Sequence, residues 1–354
     1  MAFIFKVQTV GTDDTFTLPL ISGGTYDCVV DWGDGGPTSA ITTYDDPDRI
    51  HTYTTEDLYT ISVTGTLYGW QFNNAGDCAM MRDVTDWGAG VFRPDNFPMG
   101  ATTGHFYGCA NMTSSAGNAP DITGTISLQD SFRNCLSLVS LDLAGWDVSG
   151  VTNFSTCWHS CSSLTTLGDL SNWDVSGVTT FSTCWHSCSS LTTLGDLSNW
   201  DVSSVTTFST CWHGCSSLTT LGDLSNWDVS SVTTFSSCWY GCPALSDEIY
   251  SKMLVAWSRL SLQAGTNAHF GTAKYLKGAS TAARALIDAV WGTITDGGQH
   301  YAKYPSQPDY IKSIIVPRNI NRGKKYIPDM WGWAYVEAGG GLSIPIAMYH
   351  HMYH

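Results

Sequence analysis

Apolar residues between positions 150 and 245 recur at about every third place. Leu164, Leu167, Leu170, Trp173, Val175, Val178, Phe181, Cys184 and Cys188 trace one round of the pattern. A plain strand would alternate with a period of two, and a helix would set apolar side chains three and four apart in turn. A coil of short strand segments joined by turns gives three. The whole unit then returns: GVTNFSTCWHSCSSLTTLGDLSNWDVS spans 150–176, reappears at 177–203 and 204–230, and ends truncated as SVTTFSSCWYGCPAL at 231–245. Upstream, NCLSLVSLDLAGWDVS (134–149) belongs to a slightly shorter version, and HFYGCANM (105–112) is more degenerate. One coil cannot bury its own apolar face, so such units are predicted to stack, each side-chain type forming a ladder along the stack.

Outside the array the periodicity changes. Residues 27–65, DCVVDWGDGG followed by HTYTTEDLYTISVTG, alternate like strands around Gly and Asp turns and predict an immunoglobulin-like β-sandwich. Past residue 245, SDEIYSKMLVAWSRL (246–260) opens with a Ser cap and two acids, then takes helical spacing. STAARALIDAVW (280–291) predicts a second capped helix. The expected divisions are 1–100, 101–245, 246–299 and 300–354, with the array as a solenoid, 246–299 as its helical cap and the fold mainly β.

Two resemblances attach to these segments. LVSLDLAGWDVSGVTNFSTCWHSC, with Phe154 and Cys157 at two Met places of the pattern, resembles the BspA-type leucine-rich repeat of bacterial surface proteins. That resemblance implies adhesion or protein contact rather than catalysis. The pieces Trp32–Gly35 (WGDG), His51–Tyr53 and Tyr59–Val63 resemble a PKD-type β-sandwich, a spacer or binding module. AHFGTAKYLKGA and GTITDGG are similar to the segment that closes such arrays in phage-encoded proteins.

Charge sharpens the division. The chain of 354 residues carries 16 Lys+Arg against 31 Asp+Glu, a net −15. By segment the balance is −10 over 1–100, −9 over 101–245, where Arg133 is the only base, and +4 over 246–354. An acid excess argues against a nucleic-acid partner, which needs phosphate-neutralising cations. No apolar run is long enough for a membrane span. The N-terminal MAFIFKVQTVGTDD has no basic, apolar and cleavage regions of a secretory leader, and so predicts a chain that does not take that export route.

The chemistry-bearing residues admit competing readings. Cys157/Cys161, Cys184/Cys188 and Cys211/Cys215 bracket His159, His186 and His213, types that zinc favours. The same cysteines sit on the apolar ladder, where a thiol behaves as a small hydrophobe, and disulfides are disfavoured without export. Buried thiols are the expected state, with no metal and no cofactor. His159, His186, His213 and Tyr240 are expected to form an outward aromatic-polar row. A second candidate row is Thr166, Asp169 and Asn172, repeated as Thr193, Asp196, Asn199 and Thr220, Asp223, Asn226. Identical rows on a rigid stack suit a repetitive ligand such as a glycan, whereas Asp and Asn also bond turn amides. Asp31 and Asp34, with Asp45, Asp46 and Asp48, read as turn formers rather than calcium ligands. No nucleophile elbow, phosphate loop or paired-carboxylate motif occurs, so no catalytic residue is expected.

The function expected is therefore that of a tailed-phage virion protein, a fibre, tip or decoration adhesin. The alternatives are a bacterial cell-surface adhesin and an intracellular interaction scaffold. Expected partners are a host-surface glycan or protein, other virion proteins through the N-terminal domain or residues 300–354, and a second copy of the chain in a homo-oligomer. Nucleic acid and membrane insertion are not expected.

Overall fold

In the computed structural model the described residues are 1–90, 92–93, 103–300, 325–329, 332–336 and 342–343. The fold is mainly β with two helices among these residues. The N-terminal part contains β1 (Phe3–Gln8), β2 (Asp14–Thr17), β3 (Leu20–Asp31), β4 (Ser39–Ile41), β5 (Ile50–Tyr53), β6 (Leu58–Trp70), β7 (Met81–Trp87) and β8 (Phe92–Arg93). One sheet runs β4-β3-β6-β1-β7, antiparallel throughout, with β8 beside β6, while β2 and β5 form a separate pair. Strict alternation buries Phe3, Phe5 and Val7 of β1 and Tyr59, Ile61 and Val63 of β6 on one face. The β2–β5 pair covers that face: Phe16 lies 5.9 Å from Phe5, and Tyr53 stacks on Tyr59 at 3.9 Å.

β9 (Thr113–Ser114) pairs parallel to β7, so the sheet edge passes directly into the array. The stacked arrangement begins before residue 101. Phe72, Asn73 and Asn74 donate their N–H groups to His105, Gly104 and Tyr107. Phe72, Cys78, Met81, Val84 and Trp87 are buried, as are Phe106, Cys109 and Met112 of the next coil. Residues 72–87 therefore serve both as sheet and as first layer of the stack.

From there the coils lie in register. Parallel bridges link Ser127, Asn153, Thr180, Thr207 and Thr234 in one line, and Ser140, Thr166 and Thr193 in another. Each coil contributes the same inter-coil bonds; Thr152, Thr179 and Thr206 accept from Thr179, Thr206 and Thr233 at 2.8 Å through the backbone, and the threonine hydroxyls repeat the contact at 3.0–3.1 Å. Inside, like stacks on like. Phe154, Phe181, Phe208 and Phe235 follow one another at 5.3–5.6 Å, and Trp158, Trp185, Trp212 and Trp239 at 5.4–5.9 Å. Trp146, Trp173, Trp200 and Trp227 form a third column, and the last three donate Nε1–H to the carbonyls of Leu143, Leu170 and Leu197.

The turn after each LTTL segment depends on Gly168, Gly195 and Gly222, all at φ between 81° and 86°. A Cβ at Gly195 would run into Asp169 Oδ1, which is held by the Ser171 amide. Gly195→Ala is thus expected to cost about 1–2 kcal/mol from the left-handed backbone alone, plus the collision. Chemical denaturation of Gly195→Ala beside Gly195→Ala/Asp169→Ala checks this, since the second change removes the collision and recovers that share only.

The array ends in β10 (Thr234–Phe235), α1 (Asp247–Trp257), β11 (Asn267–His269), β12 (Tyr275–Leu276), α2 (Ala279–Asp288), β13 (Thr293–Thr295) and β14 (Gln299–His300). β10, β11 and β13 continue the parallel ladder. As expected, Ser246 caps α1 by accepting from Ile249 N–H. The second helix differs from the sequence expectation. It begins at Ala279 with Gly278 as N-cap, and Ser280 lies inside its first turn, its hydroxyl bonded to the Leu276 carbonyl. The end is supplied instead by Thr281 Oγ1, which accepts from Gly278 N–H at 3.4 Å. β15 (Lys325–Asp329), β16 (Gly332–Val336) and β17 (Leu342–Ser343) form a small antiparallel sheet. The expected docking role of 300–354 otherwise falls outside the described residues. No helix among the described residues is long and apolar enough to cross a membrane.

Candidate functional site

The CWHSC corner carries the most continuous surface feature. The carbonyls of Tyr107, Arg133, His159, His186, His213 and Tyr240 each accept an N–H from the preceding coil, at 2.7–3.0 Å. This ladder places the side chains directly above one another. His159 stacks on His186 at 4.9 Å, His186 on His213 at 4.5 Å, and His213 on Tyr240 at 5.0 Å. At the other end the Arg133 guanidinium lies 4.9 Å over the Tyr107 ring. Tyr240 is exposed, and the three imidazoles are half-buried. The sequence row was expected to start at His159; the structure adds Tyr107 and Arg133. Alignment on the second cysteine of each corner would have found them, since Tyr107, Arg133 and His159 each stand two places before Cys109, Cys135 and Cys161.

The imidazoles are held differently. Ser160 and Ser187 hydroxyls bond Nδ1 of His159 and His186 at 3.1 and 2.9 Å, leaving Nε2 at the outer edge. Gly214 replaces that serine in the next coil, and His213 Nδ1 is buried without a partner. Burial, then the neighbouring His159 and His213, brings His186 down to about 4. His159 is lowered chiefly by burial and secondly by Arg133.

The second row is mostly spent on the backbone. Oγ1 of Thr166, Thr193 and Thr220 accepts from the amides of Gly168, Gly195 and Gly222, each at 3.0 Å. Oδ1 of Asp169, Asp196 and Asp223 accepts from Ser171, Ser198 and Ser225 at 3.0–3.1 Å. Asp223 also meets Lys252 at 3.5 Å. Asn172, Asn199 and Asn226 are exposed at the end of the row. Their amides face solvent, so they are the members best placed to meet a ligand.

All twelve cysteines are buried thiols. Sγ–H of Cys161, Cys188 and Cys215 donates to Phe132, Trp158 and Trp185 carbonyls of the preceding coil at 2.9–3.0 Å. Burial pushes Cys161 up to about 12 and raises Cys184 and Cys188 well above their ordinary value. A thiol so placed is a poor nucleophile and a poor metal ligand, because both roles need the thiolate. The expected ladder of thiols is what these residues form.

In the N-terminal sheet the acids are likewise committed to turns. Asp31 accepts from Gly33, Asp34 from Gly36, and Asp46 from Thr42 and Asp48. Asp34 Oδ2 also pairs with His51 Nε2 at 2.9 Å, beneath the Trp32 ring that stacks on His51 at 4.8 Å. The Gly36 amide, ahead of His51, holds the Asp34 carboxyl below its usual range.

Against known proteins, residues 126–253 match the model of a family described as Mycoplasma protein of unknown function, DUF285. This is the family context of BspA-like repeats, and the match covers the array from residue 126 onward and the start of the cap. No curated protein matches the chain. No solved structure matches it.

Proposed function

We propose that this chain is a virion structural protein of a tailed bacteriophage, a fibre, tip or decoration adhesin that meets the host surface through its repeats. In this reading residues 101–245 are a leucine-rich-repeat solenoid of the BspA type, and the N-terminal part is a PKD-like sandwich. The observation that carries the adhesin reading is the register of the stack. Identical side chains recur coil after coil on a rigid core, so a repetitive host polymer would meet the same contacts several times, and weak single contacts add to a useful avidity.

Three features support the virion setting. The buried thiol ladders suit a chain that folds in a reducing compartment, as phage proteins do before lysis. The cap segment is similar to those of phage-encoded arrays. The +4 balance of 246–354 against the acidic remainder gives the molecule two ends of different charge, one for the particle and one for the host. The test is immunogold labelling, with antibody raised against the chain, of particles purified from a lysate of the strain that carries the gene. Label at tail or capsid is the expected result. Tailed particles without label, and the chain confined to the soluble fraction, would overturn it.

A further inference from the structure

We propose that the stacked column His159–His186–His213 is a proton-triggered switch that loosens the middle coils of the array in acid. Its basis is geometric. Three imidazoles sit face to face at 4.9 and 4.5 Å, each ring bordering its counterpart in the next coil. Neutral imidazoles stack well. Protonated ones in the same places set like charges in contact and oppose the ladder that aligns them.

The surroundings make this worse rather than better. Arg133 already stands at one end of the column, and its partner Asp130, at 3.1 Å, is shared with the Thr156 hydroxyl. Asp130 favours a proton on His159, while Arg133 opposes it more strongly. The charges acting on His186 are those of His159 and His213. Tyr107 and Tyr240 close the two ends without a charge, and His269 lies edge-on to Tyr240 at 5.2 Å. His269 is itself lowered, chiefly by burial, and an imidazole supplies no compensating anion.

The direction with pH follows from linkage. In the unfolded chain an imidazole binds its proton near 6.5, whereas folded His186 does so only near 4. Between these values the unfolded state holds more protons. The His186 contribution is therefore complete above pH 6.5, is lost as pH falls toward about 4, and does not change further below. The buried His105 also responds to acid, but it lies in a coil before residue 150 and so marks a different place in the chain.

Hydrogen exchange of the full chain, read by peptide and corrected for the intrinsic pH dependence, tests the switch. On passing from above pH 6.5 to about pH 4, amides of 150–230 are expected to lose protection by roughly tenfold or more, ahead of β1, β3 and β6. His159→Tyr/His186→Tyr/His213→Tyr, which copies the tyrosine already present at position 240, is expected to remove most of that loss. Equal acid loss in parent and variant would overturn the proposal, as would loss spread evenly over the chain. Should the triple variant not fold, imidazole titration of the parent by NMR decides: His186 titrating below 6.5 supports the switch, and His186 titrating at or above 6.5 contradicts it.

Discussion

Trp185→Ala is expected to destabilise the protein by about 3–5 kcal/mol. Trp185 is fully buried and lies between Trp158 at 5.7 Å and Trp212 at 5.9 Å, so its removal opens a hole in the centre of a column. A stack holds together through contacts between neighbours, so the loss falls on two interfaces at once. Denaturation followed by circular dichroism should then show a lower midpoint and a broader transition, with the two halves no longer unfolding together. Trp185→Phe is the informative comparison. Phe106, Phe132 and Phe270 continue the same ring column at its two ends. The Nε1–H of Trp185 is buried without an acceptor, and phenylalanine removes that donor. The expected cost of Trp185→Phe is about 1 kcal/mol, because relief of the unpaired donor offsets part of the lost packing. A Phe variant as weak as the Ala variant would contradict this account of the column.

Asp296→Ala should cost a comparable amount, about 3–5 kcal/mol, for a different reason. Asp296 Oδ2 accepts from Arg284 Nε at 2.9 Å and from the Tyr250 hydroxyl at 2.6 Å, and its side chain is only 7% exposed. The carboxylate thus ties α2 to α1 and to the end of β13. Without it the Arg284 guanidinium stays buried with Asp288, at 2.5 Å, as its one carboxylate and the Ile294 carbonyl, at 3.3 Å, as a neutral acceptor. Arg284→Met/Asp296→Leu removes both charges and is expected to recover most of the loss, since a matched apolar pair avoids desolvation altogether. Limited proteolysis offers the local readout: Asp296→Ala should be cut first within 246–299, and unchanged cutting there would show that the ion pair does not hold the cap.

The array was legible because its apolar side chains recur with a period that only stacked coils satisfy. Leu164, Leu167, Leu170, Val178, Phe181, Cys184 and Cys188, the positions that set that period, are all fully buried. Its beginning was not legible. Residues 72–87 do not repeat the sequence of the later units, and about half of that segment also serves as β7. The site was legible in part. Sequence placed His159, His186, His213 and Tyr240 in one row, and the spacing to Cys109 and Cys135 held the signal for Tyr107 and Arg133, but nothing in it revealed that the rings touch. The aspartates show the limit from the other side. Asp169 and Asp196 read as turn formers first and ligand groups second, and the choice rested on amides two residues away. Least legible were Thr156, Thr183 and Thr210, which hold φ of 52–60°. A β-branched residue is poorly suited to that backbone. Thr183 and Thr210 share a hydroxyl contact at 2.9 Å across coils, a tertiary gain that local preference cannot foresee.

Binding of the labelled full chain to bacterial cells and isolated envelope glycans bears most directly on the proposed role. The decisive comparison is between the parent and Asn172→Ala/Asn199→Ala/Asn226→Ala/Tyr240→Ala, which alters exposed side chains at two corners of the stack. The account predicts saturable binding by the parent and a loss of roughly tenfold or more in the variant. The variant's melting temperature should stay within about 2 °C of the parent's, as surface changes usually allow. A parent that binds none of the cells or glycans, or a variant that binds as tightly as the parent, would contradict the claim that these repeated rows are the contact surface.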